Sequence, residues 1–268
     1  MSDSNYAAPL PNGGLDQHVA DAVSRFMQRL ALPILIERGT RQELIGTGTL
    51  FDISGRIIIV TAKHIFVGED LRAVAIPARP EGPKTDYIGG HRLIVHREKD
   101  GHSPDVCIIE VENETLARHI VNTWTVLKLE DTAEASADGR FVVCGFPSQL
   151  IEPIGASNSA NLLGTLLAFY TNRIPPPSNA LAPVNPELDL FFNHEGKVKL
   201  ISGAPSDSPR FQGVSGASIW QILPAPQGSF WTPQSSLKVV GIQSTARHGD
   251  YLRGENWLHV RSLIEGLS

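Results

Sequence analysis

Residues 44–66 read LIGTGTLFDISGRIIIVTAKHIF. Two apolar runs, LIGTGTLFDI (44–53) and RIIIVTA (56–62), stand on either side of Ser54-Gly55. That spacing predicts two antiparallel strands joined by a tight hairpin, because Gly reaches the backbone conformations such turns require. The first run opens on a Gly-rich GTGT segment. The second leads directly into His64, which therefore sits where a strand ends.

The same pattern of short apolar runs between Gly, Pro, Asp and Ser extends outward in both directions. LPILIE (32–37), LRAVAI (71–76), RLIVH (92–96), DVCIIEV (105–111) and WTVLKL (124–129) complete a first strand series. A second comprises RFVVCGF (140–146), NLLGTLLAFYTN (161–172), LDLFF (188–192), KVKLI (197–201), ASIWQI (217–222) and LKVVGIQS (237–244). Asn193-His194-Glu195-Gly196 fits a hairpin loop, and the Pro-rich stretches 174–186 and 223–233 read as surface loops. Residues 1–14 read as a loose tail. Residues 15–31 place Val19, Val23, Phe26, Met27 and Leu30 at amphipathic-helix spacing, and NWLHVRSLIEGL (256–267) also has helical spacing.

Two sets of about six strands with few helices between them predict an all-β chain. The expected architecture is two six-stranded antiparallel β-barrels with an N-terminal helix and a C-terminal helix. The expected segments are 1–31 for tail and helix, 32–130 for the first barrel and 138–268 for the second barrel with its closing helix. The acidic, Ala-rich EDTAEASADG (130–139) marks the seam.

The chain has 268 residues, 41% of them hydrophobic and 19% charged, which is enough to bury a core. A net charge of −5 without a basic run excludes nucleic acid as the expected partner. No apolar run is long enough for a membrane-spanning helix, and the polar N-terminal stretch lacks the apolar core of a signal peptide. A cytoplasmic location is expected. Cys107 and Cys144 both lie within apolar runs and read as buried thiols rather than a disulfide.

FQGVSGASIW (211–220) places Ser215 between small residues that would let a substrate approach the backbone, with Gly213 free to adopt a conformation denied to other residues. Taken singly, His64 at a strand end, Asp105 before a strand and Ser215 in a Gly-rich turn are all ordinary. Taken together, they follow the chain order His, Asp, Ser of one known catalytic triad. His91, His96 and His102 also precede Asp105 but lie outside a T-A-x-H context, and they read as surface residues.

TAKHI resembles the T-A-x-H segment of the chymotrypsin/trypsin-like serine peptidases, and PDVCIIEV resembles their Asp-bearing strand. GVSGAS is similar to their G-D-S-G-G motif, and VVGIQST to the strand lining their cleft. The likeness runs from Leu32 to the C-terminal helix and looks closest to the compact, disulfide-free bacterial branch. It implies a serine endopeptidase with Ser215 as nucleophile, His64 as base and Asp105 as the group orienting the base. It further implies an oxyanion hole from the amides of Gly213 and Ser215, with no cofactor and no metal. Ser244 would lie beside Asp105. Ser244, Thr245 and Ala246 would pair with a protein or peptide substrate, and Gln212 and Pro209 would complete the substrate site. Pro209 falls at the floor of the specificity pocket by ungapped counting, with Asp207 as the alternative two residues away, so no preference for basic side chains is expected.

The chain departs from that pattern at Val214, where secreted relatives carry an acid that pairs with a freshly cut amino terminus. The oxyanion hole must then be ordered by packing of the 203–214 loop, by substrate or by a regulatory protein partner, and activation should need no N-terminal cleavage. Two other readings compete. GVSGA, with Asp250 and His259 downstream, approaches the α/β-hydrolase pattern, but too few residues follow for that fold's alternating units. A protease fold can also serve as a catalytically silent binding module.

Overall fold

The computed structural model describes residues 17–39, 41–80, 84–88, 91–97, 103–153, 162–194, 197–199, 205–207 and 209–267. The tail at 1–14 lies outside them. The described chain opens on helix α1 (Gln17–Met27), which ends before the position 31 expected from its apolar spacing; positions 15 and 16 lie outside the described residues. Seven strands follow: β1 (Ala31–Arg38), β2 (Arg41–Ile53), β3 (Arg56–Thr61), β4 (Val74–Pro77), β5 (Thr85–Tyr87), β6 (His91–Val95) and β7 (Cys107–Val111). They form one antiparallel sheet in the order β5-β4-β1-β2-β3-β7-β6. The β2–β3 hairpin turns at Ser54-Gly55, where φ is 54° and 85°.

Helix α2 (Glu114–Thr123) then covers this sheet. Asn113 caps it by accepting from the amides of Thr115 and Leu116, and Leu116 and Ile120 present one apolar face. The strand expected at WTVLKL does not form. Thr125 donates to the Arg29 carbonyl and Leu127 to the Leu50 carbonyl, leaving a single bridge between Phe51 and Leu127.

The second half holds β8 (Arg140–Gly145), a ribbon of β9 (Ile151–Pro153) and β10 (Leu162–Gly164), then β11 (Leu167–Ile174) and β12 (Asp189–Asn193). A second ribbon, β13 (Lys197–Lys199) with β14 (Pro205–Asp207), precedes β15 (Ser218–Ile222). A short helix α3 (Pro233–Ser236), β16 (Leu237–Arg247), β17 (Tyr251–Asn256) and helix α4 (Trp257–Glu265) complete the chain. Six of these strands close into a barrel in the order β11-β12-β17-β16-β15-β8. Of the KVKLI run, Lys197–Lys199 lie outside the barrel, in the β13–β14 ribbon, 200 and 201 lie outside the described residues, and β17 takes the sixth place in the barrel instead. The expected hairpin loop at 193–196 includes two positions, 195 and 196, outside the described residues.

β3 and β8 are apolar on both faces, because each face meets its own core. In β3, Ile57 and Ile59 point into the first sheet with Leu32, Ile34 and Leu50, while Ile58 and Val60 point the other way. In β8, Phe141 and Val143 fill the barrel with Phe169, Leu190 and Phe192, while Val142 and Cys144 face outward. The outward sets of both halves meet in a shared layer, closed by Val23 and Met27 of α1 and by Trp257, Val260 and Leu263 of α4. Each fully buried aliphatic side chain there stabilises the fold by about 1.5–3 kcal/mol. Among the described residues no helix is long and apolar enough to cross a membrane.

Candidate active site

His64 lies in a single 3-10 turn, Lys63–Phe66, immediately after β3. The turn has no side-chain cap of its own. Asp105, in the loop entering β7, supplies one from across the sheet, accepting from the His64 amide at 2.9 Å and meeting His64 Nδ1 at 2.6 Å. A carboxylate on Nδ1 leaves Nε2 as the basic nitrogen of a neutral ring. The Asp105 side chain is 25% exposed and that of His64 46%, so the pair sits at the mouth of a cleft.

Ser215 faces the same cleft from the turn before β15. Gly213 and Gly216, both at φ 88°, shape that turn. A Cβ on Gly216 would fall 1.9 Å from Thr61 Oγ1, so only glycine fits. The turn is tied to the first sheet through Thr47. The Thr47 amide donates to the Ser215 carbonyl at 2.9 Å, and its hydroxyl donates to the Gly213 carbonyl at 2.9 Å while accepting from the Phe146 amide at 3.2 Å. Val214 is fully buried among Phe169, Leu190 and Phe211, and its amide donates to the Phe211 carbonyl at 2.9 Å. The loop is thus pinned from below by apolar packing. Among the described residues the amides of Gly213 and Ser215 donate to no protein acceptor, and no hydrogen bond joins His64 to Ser215.

His64, Asp105 and Ser215 line one pocket of about 610 Å³. Gln212, Ser244, Thr245 and Ala246 line it too. Pro209 is half-buried outside the lining, and its neighbours Arg210 and Phe211 are part of the wall. The backbone of Asp207 pairs with Lys197 in the β13–β14 ribbon. The Ser244 hydroxyl donates to the Arg253 carbonyl at 3.2 Å. Pairing of β16 with β15 stops at Ile242, so the 244–247 stretch has β17 on one side and no strand on the other among the described residues.

Contrary to the surface reading, His91 and His96 are half-buried. His91 Nδ1 meets the Ile88 carbonyl, and His96 Nε2 meets the His259 carbonyl at 2.8 Å. His102 lies outside the described residues. Cys107 and Cys144 are buried free thiols, and burial pushes both well above the usual thiol range. Neither is a nucleophile candidate, because only a thiolate attacks.

Glu255, His259 and Arg210 carry features that their local sequence does not signal. Glu255 lies 3.5 Å from His259 Nε2, with both side chains nearly inaccessible. Burial pushes its carboxyl up to about 7, partly offset by the Asp105 amide and by Arg253.

One six-stranded barrel is closed, and a seven-stranded half-barrel stands in place of the first of the two six-stranded barrels expected; together they fit a chymotrypsin-like double barrel, with His64, Asp105 and Ser215 lining one cleft. Neither a known protein family nor a curated protein matches the chain. Among solved structures it is similar to one described for the coupled folding and binding of the intrinsically disordered Sesbania mosaic virus VPg protein. That match has a TM-score of 0.46 at 15% identity, covering 86% of this chain and 87% of that one. It is also similar to Rv3671c of Mycobacterium tuberculosis, in an inactive form carrying a serine-to-alanine change. There the TM-score is 0.49 at 14% identity, over 97% of this chain and 94% of that one.

Proposed function

We propose that this chain is a serine endopeptidase that hydrolyses protein or peptide substrates with Ser215, His64 and Asp105. The observation that carries the reading is the two-point hold of Asp105 on His64, through the amide and Nδ1, beside Ser215 in one cleft. Ser215 Oγ attacks the scissile carbonyl as His64 Nε2 takes its proton. Asp105 keeps the ring in the required tautomer and stabilises its cationic form. The Gly213 and Ser215 amides donate to the developing oxyanion. Each such donor contributes roughly 100- to 1000-fold in rate. The amine leaves with the proton from His64, and water repeats the sequence to release the acid and restore Ser215.

The His64 to Ser215 hydrogen bond forms when substrate fills the cleft, as catalytic contacts in free enzymes commonly tighten on binding. The open edge of β16 at Ser244–Ala246 supports a substrate strand added alongside it. The closed apolar packing of Val214 supports an oxyanion loop that needs no buried amino terminus.

The test is peptide hydrolysis by the wild type beside Ser215→Ala and Asp105→Asn. Ser215→Ala should abolish turnover, and Asp105→Asn should lower it about 10,000-fold with the fold intact. Near-normal turnover in either variant would refute the assignment.

A further inference from the structure

We propose that the cleft selects an acidic side chain on the residue just before the scissile bond, with Arg210 as the group that meets its carboxylate. This deepens the peptidase reading and rests on it.

The pocket lies between two walls, 210–212 and 244–246, beside Ser215. A side chain preceding a carbonyl held at the Gly213 and Ser215 amides enters the space between them. Among the described residues Asp105 is the only carboxylate in the lining, and His64 already occupies it. A lysine or arginine entering this space would therefore find no free anion among the described residues. Leaving a cation unpaired on burial is costly.

The complementary charge is Arg210, which lines the pocket in a chain whose net charge is −5. Arg210 is exposed, and its amide is engaged with Gln149 Oε1 at 2.9 Å. Its guanidinium has no carboxylate partner among the described residues. Elsewhere Arg38, Arg56, Arg92, Arg247 and Arg253 each reach a carboxylate within 3.5 Å. Arg210 thus keeps its planar fork of donors available, a geometry suited to two-point binding of a carboxylate.

His248 lines the same pocket. It packs edge-on to the fully buried His194 at 5.1 Å, and His194 stacks on Phe169 at 5.1 Å. The Gly249 amide donates to His194 Nδ1 at 3.4 Å, which anchors the turn carrying His248. Burial holds His194 below its ordinary pKa, so it serves as a neutral packing element rather than a second charge. Phe211 and Ala246 add apolar surface to a lining that also holds Gln212, Gln243, Ser244 and Thr245, and that apolar surface suits the methylenes of a glutamate.

The test is binding of full-length Ser215→Ala to three blocked peptides that differ only in the residue before the scissile bond, Glu, Gln or Lys. One charge-assisted contact should favour Glu over Gln roughly tenfold. Lys should bind more weakly than Gln. Arg210→Ala in the same background should erase the gap between Glu and Gln, and Arg210→Glu should favour Lys. Circular dichroism checks that each variant is folded. Equal binding of the three peptides, a preference for Lys, or no measurable binding of the Glu peptide would overturn the proposal. If the wild type cleaves peptides without favouring acidic residues, the selectivity fails and the peptidase reading stands. If Ser215→Ala shows the acidic preference but the wild type cleaves nothing, the peptidase reading fails instead.

Discussion

The Thr47 amide donates to the Ser215 carbonyl at 2.9 Å, across the seam between the first sheet and the second barrel. The contact is close enough that a Cβ on the preceding Gly46 would fall 2.9 Å from the same carbonyl oxygen. The Thr47 hydroxyl adds bonds to the Gly213 carbonyl and the Phe146 amide. Thr49 and Ser218 continue the seam with a hydroxyl pair at 2.7 Å. The Gly-rich start of β2 thus fixes the backbone that carries Ser215, and Gly46 permits the approach.

Thr47→Val keeps the shape and removes the hydroxyl, leaving the Gly213 carbonyl and the Phe146 amide unsatisfied in a buried site. The expected cost is about 1–3 kcal/mol in denaturant unfolding. Turnover should fall as well, because the Gly213 peptide loses its anchor. A variant as stable and active as the wild type would show that the seam does not order this loop.

Val214 sits where an acid would require a buried cation. It is fully buried in an apolar cluster. Val214→Asp should destabilise the chain by several kcal/mol, because an unpaired carboxylate there meets only hydrocarbon. Thermal unfolding checks this, and an unchanged midpoint would mean that the loop has a charge partner.

Arg253 and Asp189 form a buried ion pair at 2.8 Å, and Arg253 also donates to the Leu181 and Pro183 carbonyls. The pair joins β12 and β17 and holds the Pro-rich loop against the barrel. Arg253→Ala should cost about 3–5 kcal/mol, since it strands Asp189 in the interior. Urea unfolding measures the loss.

Glu255 makes stability depend on pH. Its carboxyl is raised from the ordinary 4.5 to about 7 in the folded chain, chiefly by burial. Between these values the folded chain holds a proton that the unfolded chain has lost. Stability should therefore fall as pH rises from about 4.5 to 7, by up to roughly 1.4 kcal/mol per pH unit from this group. Glu255→Gln should remove that slope and raise stability at pH 8 relative to the wild type. Denaturant midpoints for both proteins at pH 5 and pH 8 provide the comparison. Parallel profiles would contradict the assignment.

The β2–β3 hairpin was legible because Ser54-Gly55 announces its turn locally. The order of His64, Asp105 and Ser215 was legible because each stands beside a recognisable strand. β17 was hidden because Arg253, Glu255 and Asn256 are polar in sequence yet buried in the fold, through partners such as Asp189 that lie far along the chain. α2 was hidden by its brevity, although the Asn113 cap and the Leu116 to Ile120 spacing signalled it. WTVLKL alternates like a strand, but its backbone partners lie on two different segments. Thr47 and Arg210 have no local signature, because their roles arise only where the two halves meet or where a wall closes a pocket.

The most direct test of the central claim is the intact mass of the full-length protein after exposure to a fluorophosphonate. Such a probe bonds only to an activated serine. The account predicts one adduct per chain, mapping to Ser215, absent from Ser215→Ala and strongly reduced in His64→Ala. An unmodified wild type, or an adduct at any other serine, would contradict it.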